Sequence, residues 1–87
     1  MEFEYDRSKS DSNREKHGID FVEAQILWDD PKHIIAPAFS ITEERFALIG
    51  IYLGKVWTCV FTIRGENVRI ISVRRARHGE KEGYYHR

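Results

Sequence analysis

Three β-rich runs joined by two-residue turns constrain this chain more than any other feature. Arg45 to Leu53 (RFALIGIYL), Val56 to Arg64 (VWTCVFTIR) and Asn67 to Arg75 (NVRIISVRR) are rich in β-branched and aromatic residues. Only Gly54-Lys55 and Gly65-Glu66 separate them. Connections this short join antiparallel neighbours, because a parallel crossover needs about a dozen residues or more. The C-terminal half is therefore predicted to be an antiparallel meander.

The N-terminal half reads differently. MEFEY alternates polar and apolar residues with Phe3 and Tyr5 on one face, the pattern of a short half-buried strand. Asp6 is a candidate N-cap and Gly18 a candidate C-terminal stop for a helix over Arg7 to His17, although no apolar stripe runs along its middle. Asp20 and Glu23 have capping-box spacing, with Ile19 placed to staple onto Ala24. Phe21, Ala24, Leu27 and Trp28 then follow helical spacing until Asp29-Asp30-Pro31 stops the element. Lys32 to Thr42 contains Pro37 and is expected to be a loop or at best an edge strand. Arg77 to Arg87 is expected to hold a short or frayed helix, since Gly79 and Gly83 each cost about 1 kcal/mol relative to alanine.

This order predicts an α+β class: an N-terminal short strand, two helices packed on one face of an antiparallel β-meander, and a short C-terminal helix. With 87 residues, a single domain over 1–87 is expected. In the middle run, alternation sends Trp57, Cys59, Phe61 and Ile63 to the helix-covered face. Val56, Thr58, Val60, Thr62 and Arg64 go to a partly open face that could form a shallow groove. Strict alternation in the last run puts Arg69, Ile71, Val73 and Arg75 on one side and Val68, Ile70, Ser72 and Arg74 on the other.

Composition excludes several classes. Cys59 is the only cysteine and lies in an apolar run, so it reads as a buried thiol in a reducing compartment. No apolar run approaches the roughly 20 residues of a membrane span, and the acidic first residues do not read as a signal peptide, so a soluble cytoplasmic protein is expected. His17, His33, His78 and His86 have no metal-ligand spacing, and no cofactor motif occurs. The formal net charge of zero conceals a split, with residues 1–31 at −5 and the remainder at +5. Such asymmetry fits a polyanion surface on the basic side, or a merely solvated surface with no partner.

The end of the last strand, Ile71 to His78 (ISVRRARH), concentrates cations. Guanidinium groups are permanently charged and grip phosphate oxygens bidentately, which suits a phosphodiester site. Equally, such charges blunt a sheet against aggregation. Tyr84-Tyr85-His86-Arg87 mixes rings and cations as single-stranded RNA sites do, or else docks its tyrosines on the sheet.

The order of residues resembles the BrnT family of type II toxin-antitoxin ribonucleases, which have a RelE-like fold. The resemblance rests on Tyr5-Asp6, Lys9 and Asn13, then Lys16-His17-Gly18-Ile19-Asp20-Phe21 with Glu23-Ala24 and Asp29-Asp30-Pro31. It continues through Glu44-Arg45-Phe46, Ile49-Gly50, Arg64, and Arg69-Ile70-Ile71-Ser72-Val73-Arg74-Arg75-Ala76. It implies a small metal-independent endoribonuclease, using no cofactor, that arrests translation and is neutralised by a DNA-binding antitoxin of the BrnA kind. Arg64, Arg74 and Arg75 are then expected to converge on the scissile phosphate, with Glu44 as proton acceptor unless it pairs with Arg45. Arg69, Arg77, Lys55, Tyr84 and His86 are expected to contact RNA. The alternative is a non-catalytic module that uses the same cations to hold nucleic acid or the antitoxin.

Overall fold

The structure is a computed structural model that describes residues 1–86; Arg87, the last residue of the basic-aromatic tail, lies outside the described residues. Among the described residues, five strands form one sheet: β1 (Phe3–Glu4), β2 (Ile34–Ala38), β3 (Arg45–Tyr52), β4 (Lys55–Arg64) and β5 (Asn67–Arg75). The helices are α1 (Arg7–His17), α2 (Phe21–Ala24), which continues as a 3-10 turn over Gln25–Asp29, and α3 (His78–Tyr85). Strand order is β1-β5-β4-β3-β2, with β1 parallel to β5 and the other pairings antiparallel. The mixed α+β class and the meander are as expected. Pro37 sits within β2, at the sheet edge where a missing N–H is tolerated. None of the helices described is long and apolar enough to cross a membrane.

The first hairpin differs from the sequence reading by one residue. Its turn is Leu53-Gly54, not Gly54-Lys55, because Tyr52 pairs with Lys55 and leaves only those two residues between the strands. Both take positive φ, 51° and 75°, as a two-residue turn matching strand twist demands.

The helices pack through different chemistry. Asp20 and Glu23 form the predicted capping box, and Phe21, Ala24 and Leu27 are buried against Leu48, Trp57, Cys59, Phe61 and Val73. By contrast, α1 buries only Ser10 and Asn13. Ser10 Oγ accepts a bond from the Phe21 N–H at 2.9 Å. Asn13 Nδ2 donates to the carbonyls of Ile19 and Val73 at 2.8 Å each, and Asn13 Oδ1 accepts from the Val73 N–H at 3.2 Å. Strand β1 ends at Glu4, paired with Arg69, so at Val73 the Asn13 amide stands where a neighbouring strand would be.

The C-terminal helix α3, which the sequence assigned to no face, packs on the sheet face opposite α2. Tyr84 of α3 and Ala76 form a second apolar cluster with Ile49 and Val56, which alternate with the first cluster's Leu48 and Trp57. Tyr84 is fixed there by donating to Asp30 Oδ2 at 2.5 Å. The same carboxylate accepts from the Ile51 N–H and, through Oδ1, from the Lys32 N–H, both at 2.9 Å. Burial alone would raise the Asp30 carboxyl pKa, but these hydrogen bonds outweigh it and hold the pKa below its ordinary value. Ile63, expected under the helices, is 49% exposed because that layer does not extend over the end of β4.

Two substitutions test this account. Asn13→Ala leaves the Val73 N–H and two carbonyls without their partner, and is expected to lower the unfolding free energy by about 2–4 kcal/mol in urea titration. Leu53 is 80% exposed and pays for its left-handed backbone. Leu53→Asn is expected to gain about 1 kcal/mol, raising the thermal midpoint by about 4–8 °C.

Candidate functional site

Strict alternation fails in β5, and the failure reorganises the candidate site. Val60 pairs with Ser72 while Phe61 pairs with Ile70, so Ile71 is an extra residue, a β-bulge. The bulge lets Val68, Ile70 and Val73 all enter the main core. It also puts Arg69, Ser72 and Arg74, the partners of Thr62, Val60 and Thr58, on the opposite face together. Arg69 and Arg74 had been expected on different faces.

That face is covered by α3 at one end, where Thr58 is buried, and by the Glu44 backbone over Thr62, and is partly open between them. Register aligns Ala36, Ala47, Val60 and Ser72 across β2, β3, β4 and β5. Four small side chains on neighbouring strands make a floor about 15 Å long, using about 4.8 Å between strands. Arg74 flanks this row toward α3, while Arg69 and Arg45 flank it on the other side.

Arg74 is the most precisely held of these cations. Its Nη1 and Nη2 donate to Glu80 Oε1 and Oε2 at 2.8 and 2.9 Å, and Nη1 also reaches the Arg75 carbonyl at 3.3 Å. Glu80 in turn accepts from Thr58 Oγ1 at 2.9 Å and from the Arg77 N–H at 2.8 Å, capping α3. An arginine carries five N–H donors, so Nε–H and one Nη2–H remain, a parallel pair matching two phosphate oxygens. The Arg74 guanidinium is thus oriented by one carboxylate with a second fork still available.

The other predicted residues do not converge on it. Arg64 lies on the same face by alternation and makes no ion pair with a described residue, but it pairs with Asn67, six residues along β4 from Thr58. At about 3.4 Å per residue that is roughly 20 Å from the Arg74 position. Arg75 points to the opposite face, its guanidinium 5.5 Å from the Trp57 ring centre in a cation–π contact. Expected convergence of Arg64, Arg74 and Arg75 on one phosphate is therefore not what the structure holds, because adjacent strand residues face apart and Arg64 is at the far end of its strand. Glu44 is exposed, with its carbonyl accepting from Thr62 Oγ1 at 2.7 Å. The ion pair anticipated between Glu44 and Arg45 is made instead by Glu43, at 3.0 Å.

Among the residues expected to contact RNA, Arg69 pairs loosely with Glu4 at 3.5 Å. Arg77 is exposed at the start of α3, and Lys55 is exposed beside the first hairpin turn, at the opposite end of β4 from Arg64. Tyr84 is only 6% exposed and its hydroxyl is committed to Asp30, so its ring is closed to base stacking. Its neighbour Tyr85 is 59% exposed and presents the open ring of the tail. His86 is exposed, with Nε2 3.0 Å from Glu82. Burial pushes the Cys59 thiol far above its ordinary range, so it is not a nucleophile. No group of three or more His, Cys, Asp or Glu among the described residues is arranged to hold a metal.

Two concave sites remain. One, about 790 Å³, is lined by Asp30, Pro31, Lys32, Ile51, Tyr84 and Tyr85 at the α3 end and contains an acid. The other, about 230 Å³, lies between α1 and β5 and is lined by Lys9, Ser12, Asn13, Lys16, His17, Ile71 and Ser72. Sequence reasoning missed the second as a site. Its only signal was that Lys9, Asn13, Lys16 and His17 belong to the family-like pattern.

The Arg74–Glu80 pair sets an acid limit. Hydrogen bonds from Arg74 first, then from Arg77 and Thr58 against the opposing cost of partial burial, bring the Glu80 carboxyl down to about 2. A carboxyl depressed on folding stabilises above its unfolded value, about 4.3, and that contribution is lost as pH falls toward 2. Glu80→Gln is expected to cost about 1–2 kcal/mol at pH 7, with the difference from the parent protein closing between about pH 4.5 and 2 in chemical denaturation. A difference independent of pH over that interval would rule out the ionised pair as its source.

No curated protein matches the sequence. The sequence does match the family model described as the ribonuclease toxin BrnT of type II toxin-antitoxin systems, over residues 5–80, which spans every described element except β1 and the end of α3. The chain belongs to the BrnT family of ribonuclease toxins of type II toxin-antitoxin systems.

Proposed function

We propose that this chain is a metal-independent endoribonuclease that cuts single-stranded RNA in the cytoplasm and thereby inhibits translation. A type II system implies an antitoxin partner; a DNA-binding protein of the BrnA kind is the proposed one, masking the same basic surface. On this reading the architecture is RelE-like, with RNA laid across the open sheet face rather than along a helix.

The observation that carries the reading is the bulge at Ile71, which brings Arg69 and Arg74 onto one partly open face on either side of a small-residue floor. Bulges recur beside functional sites because they re-aim side chains without breaking the sheet. In metal-independent cleavage the 2′-hydroxyl gives its proton to a base as its oxygen attacks the adjacent phosphorus, the 5′-oxygen leaves and takes up a proton as a 5′-hydroxyl, and a 2′,3′-cyclic phosphate forms. Negative charge grows on the non-bridging oxygens, and a fixed guanidinium is worth most there because it needs no reorganisation. Arg74 fits that role, with Glu80 positioning it. Arg69 and Arg64 are placed for flanking phosphates, and Tyr85 offers a ring for stacking.

A second reading, a non-catalytic binding module, is favoured by one observation: Arg64, Arg74 and Arg75 are spread along and across the sheet rather than gathered at one phosphate. One assay separates the two. Purified protein is expected to cleave single-stranded RNA to 2′,3′-cyclic ends, with EDTA making no difference. Arg74→Ala is expected to lower kcat/KM by about 10²–10³-fold while the protein stays folded, its circular dichroism changed by no more than the loosened first turn of α3. RNA binding without turnover by the parent protein favours the module, and full activity in Arg74→Ala removes Arg74 from the mechanism.

A further inference from the structure

The cleft between α1 and β5 has the chemistry of an anion site, and nothing in the proposed cleavage accounts for it. Lys9, Ser12, Asn13 and Lys16 recur at the spacing that places them on one side of α1, given about 3.6 residues per turn. By the same period Asp11 falls on its far side and Glu15 on its flank, and neither lines the cleft. Asp6, which caps the helix and lies within reach of the Lys9 charge, accepts from Ser8 Oγ at 2.8 Å and the Lys9 N–H at 3.0 Å. Neither Lys9 nor Lys16 makes an ion pair with a described residue, and no carboxylate lines the cleft. Two lysines and a histidine face a polar floor of Ser12, Asn13 and Ser72.

The fold creates the opening. Strand β1 stops opposite Arg69, and the Asn13 amide takes over at Val73, so the edge of β5 at Ile71 and Ser72 faces the cleft rather than a strand. Ser72 is also the last residue of the floor row Ala36-Ala47-Val60-Ser72. A chain crossing the open face along that row therefore passes between Arg69 and Arg74 and arrives at Lys9 and Lys16.

We propose that the α1–β5 cleft is a phosphate subsite that holds the RNA backbone one or more nucleotides away from the scissile bond, with Lys9 and Lys16 as its cations and the hydroxyls of Ser12 and Ser72 as donors. This rests on the reading that RNA occupies the sheet face. An acidic segment of the antitoxin is the competing occupant. The cleft's small volume, about 230 Å³, and its polar lining fit a phosphodiester better than a peptide.

The test uses a 2′-O-methyl oligouridylate, which cannot cyclise, so its binding is read whether or not the protein cleaves RNA. Single-strand affinity falls with salt at a log–log slope of about 0.7 per phosphate contact. Lys9→Ala/Lys16→Ala, both exposed positions, is expected to weaken binding and make that slope shallower by about 1.4, with unfolding midpoint unchanged. Arg7→Ala/Lys32→Ala, with the same loss of charge away from the cleft, is expected to leave the slope as in the parent. Equal slopes for the cleft variant and the parent overturn the subsite, as does an equal change in the control pair. Loss of antitoxin affinity with RNA affinity intact assigns the cleft to the peptide and likewise overturns it. Failure of the parent protein to cleave RNA overturns the nuclease reading alone.

Discussion

The structure depends on a single primary amide. Helix α1 has no apolar stripe, so burial of hydrocarbon does not decide how it lies on the sheet. Asn13 decides it. Its donor and acceptor pair with both backbone groups of Val73, and its second donor closes the loop at Ile19. Three hydrogen bonds from a buried side chain, each leaving a partner unsatisfied if lost, outweigh the weak helix propensity of a run rich in serine, aspartate and asparagine. They also fix the rotation of α1, and through it the side on which Lys9 and Lys16 stand. The residue that completes the sheet edge also shapes the cleft.

A comparable economy governs β5. Continuing strict alternation through Ile71 would have sent either Val73 or the pair Val68 and Ile70 to solvent. Burial of each such side chain is worth about 1.5–3 kcal/mol, more than a locally disrupted ladder loses, so the bulge wins. Its effect on the proposed site is a by-product of core packing: two arginines five residues apart come to share a face. Binary patterning of strands cannot show this, because an inserted residue leaves each flanking run correctly patterned within itself.

These cases mark what was legible from residues alone. Elements with local chemical signals were readable: the Asp6 and Asp20 caps, the Gly18 stop, the Pro31 break, the meander and the Gly65-Glu66 turn all rest on contacts close in sequence. What was not readable depended on contacts distant in sequence. Asn13 reaches Val73 across 60 residues, and Asp30 reaches Tyr84 across 54, turning α3 to the opposite face and closing the ring expected to stack on RNA. Charge summed over residues 1–31 misled for the same reason. The N-terminal −5 includes the α1 acids Asp11 and Glu15, which do not line the cleft, whereas the side facing β5 is cationic.

The carboxylates paired with the sheet-face arginines do not all have the same consequence. Arg69 and Glu4 are 3.5 Å apart and partly exposed, a pair of the kind worth about 0–1 kcal/mol, which an RNA phosphate can replace at little cost. Arg74 and Glu80 form two short parallel bonds, with Thr58 and the α3 N-terminus holding the carboxylate. Opening that pair would strand a half-buried charge and loosen the start of α3, so in the proposed cleavage phosphate would approach the unused edge of the guanidinium instead. A row of unpaired arginines would repel itself in the free protein. Pairing relieves that repulsion, and in the proposed cleavage the difference between the two pairs would set which cation yields to substrate and which stays fixed while charge builds on the phosphate.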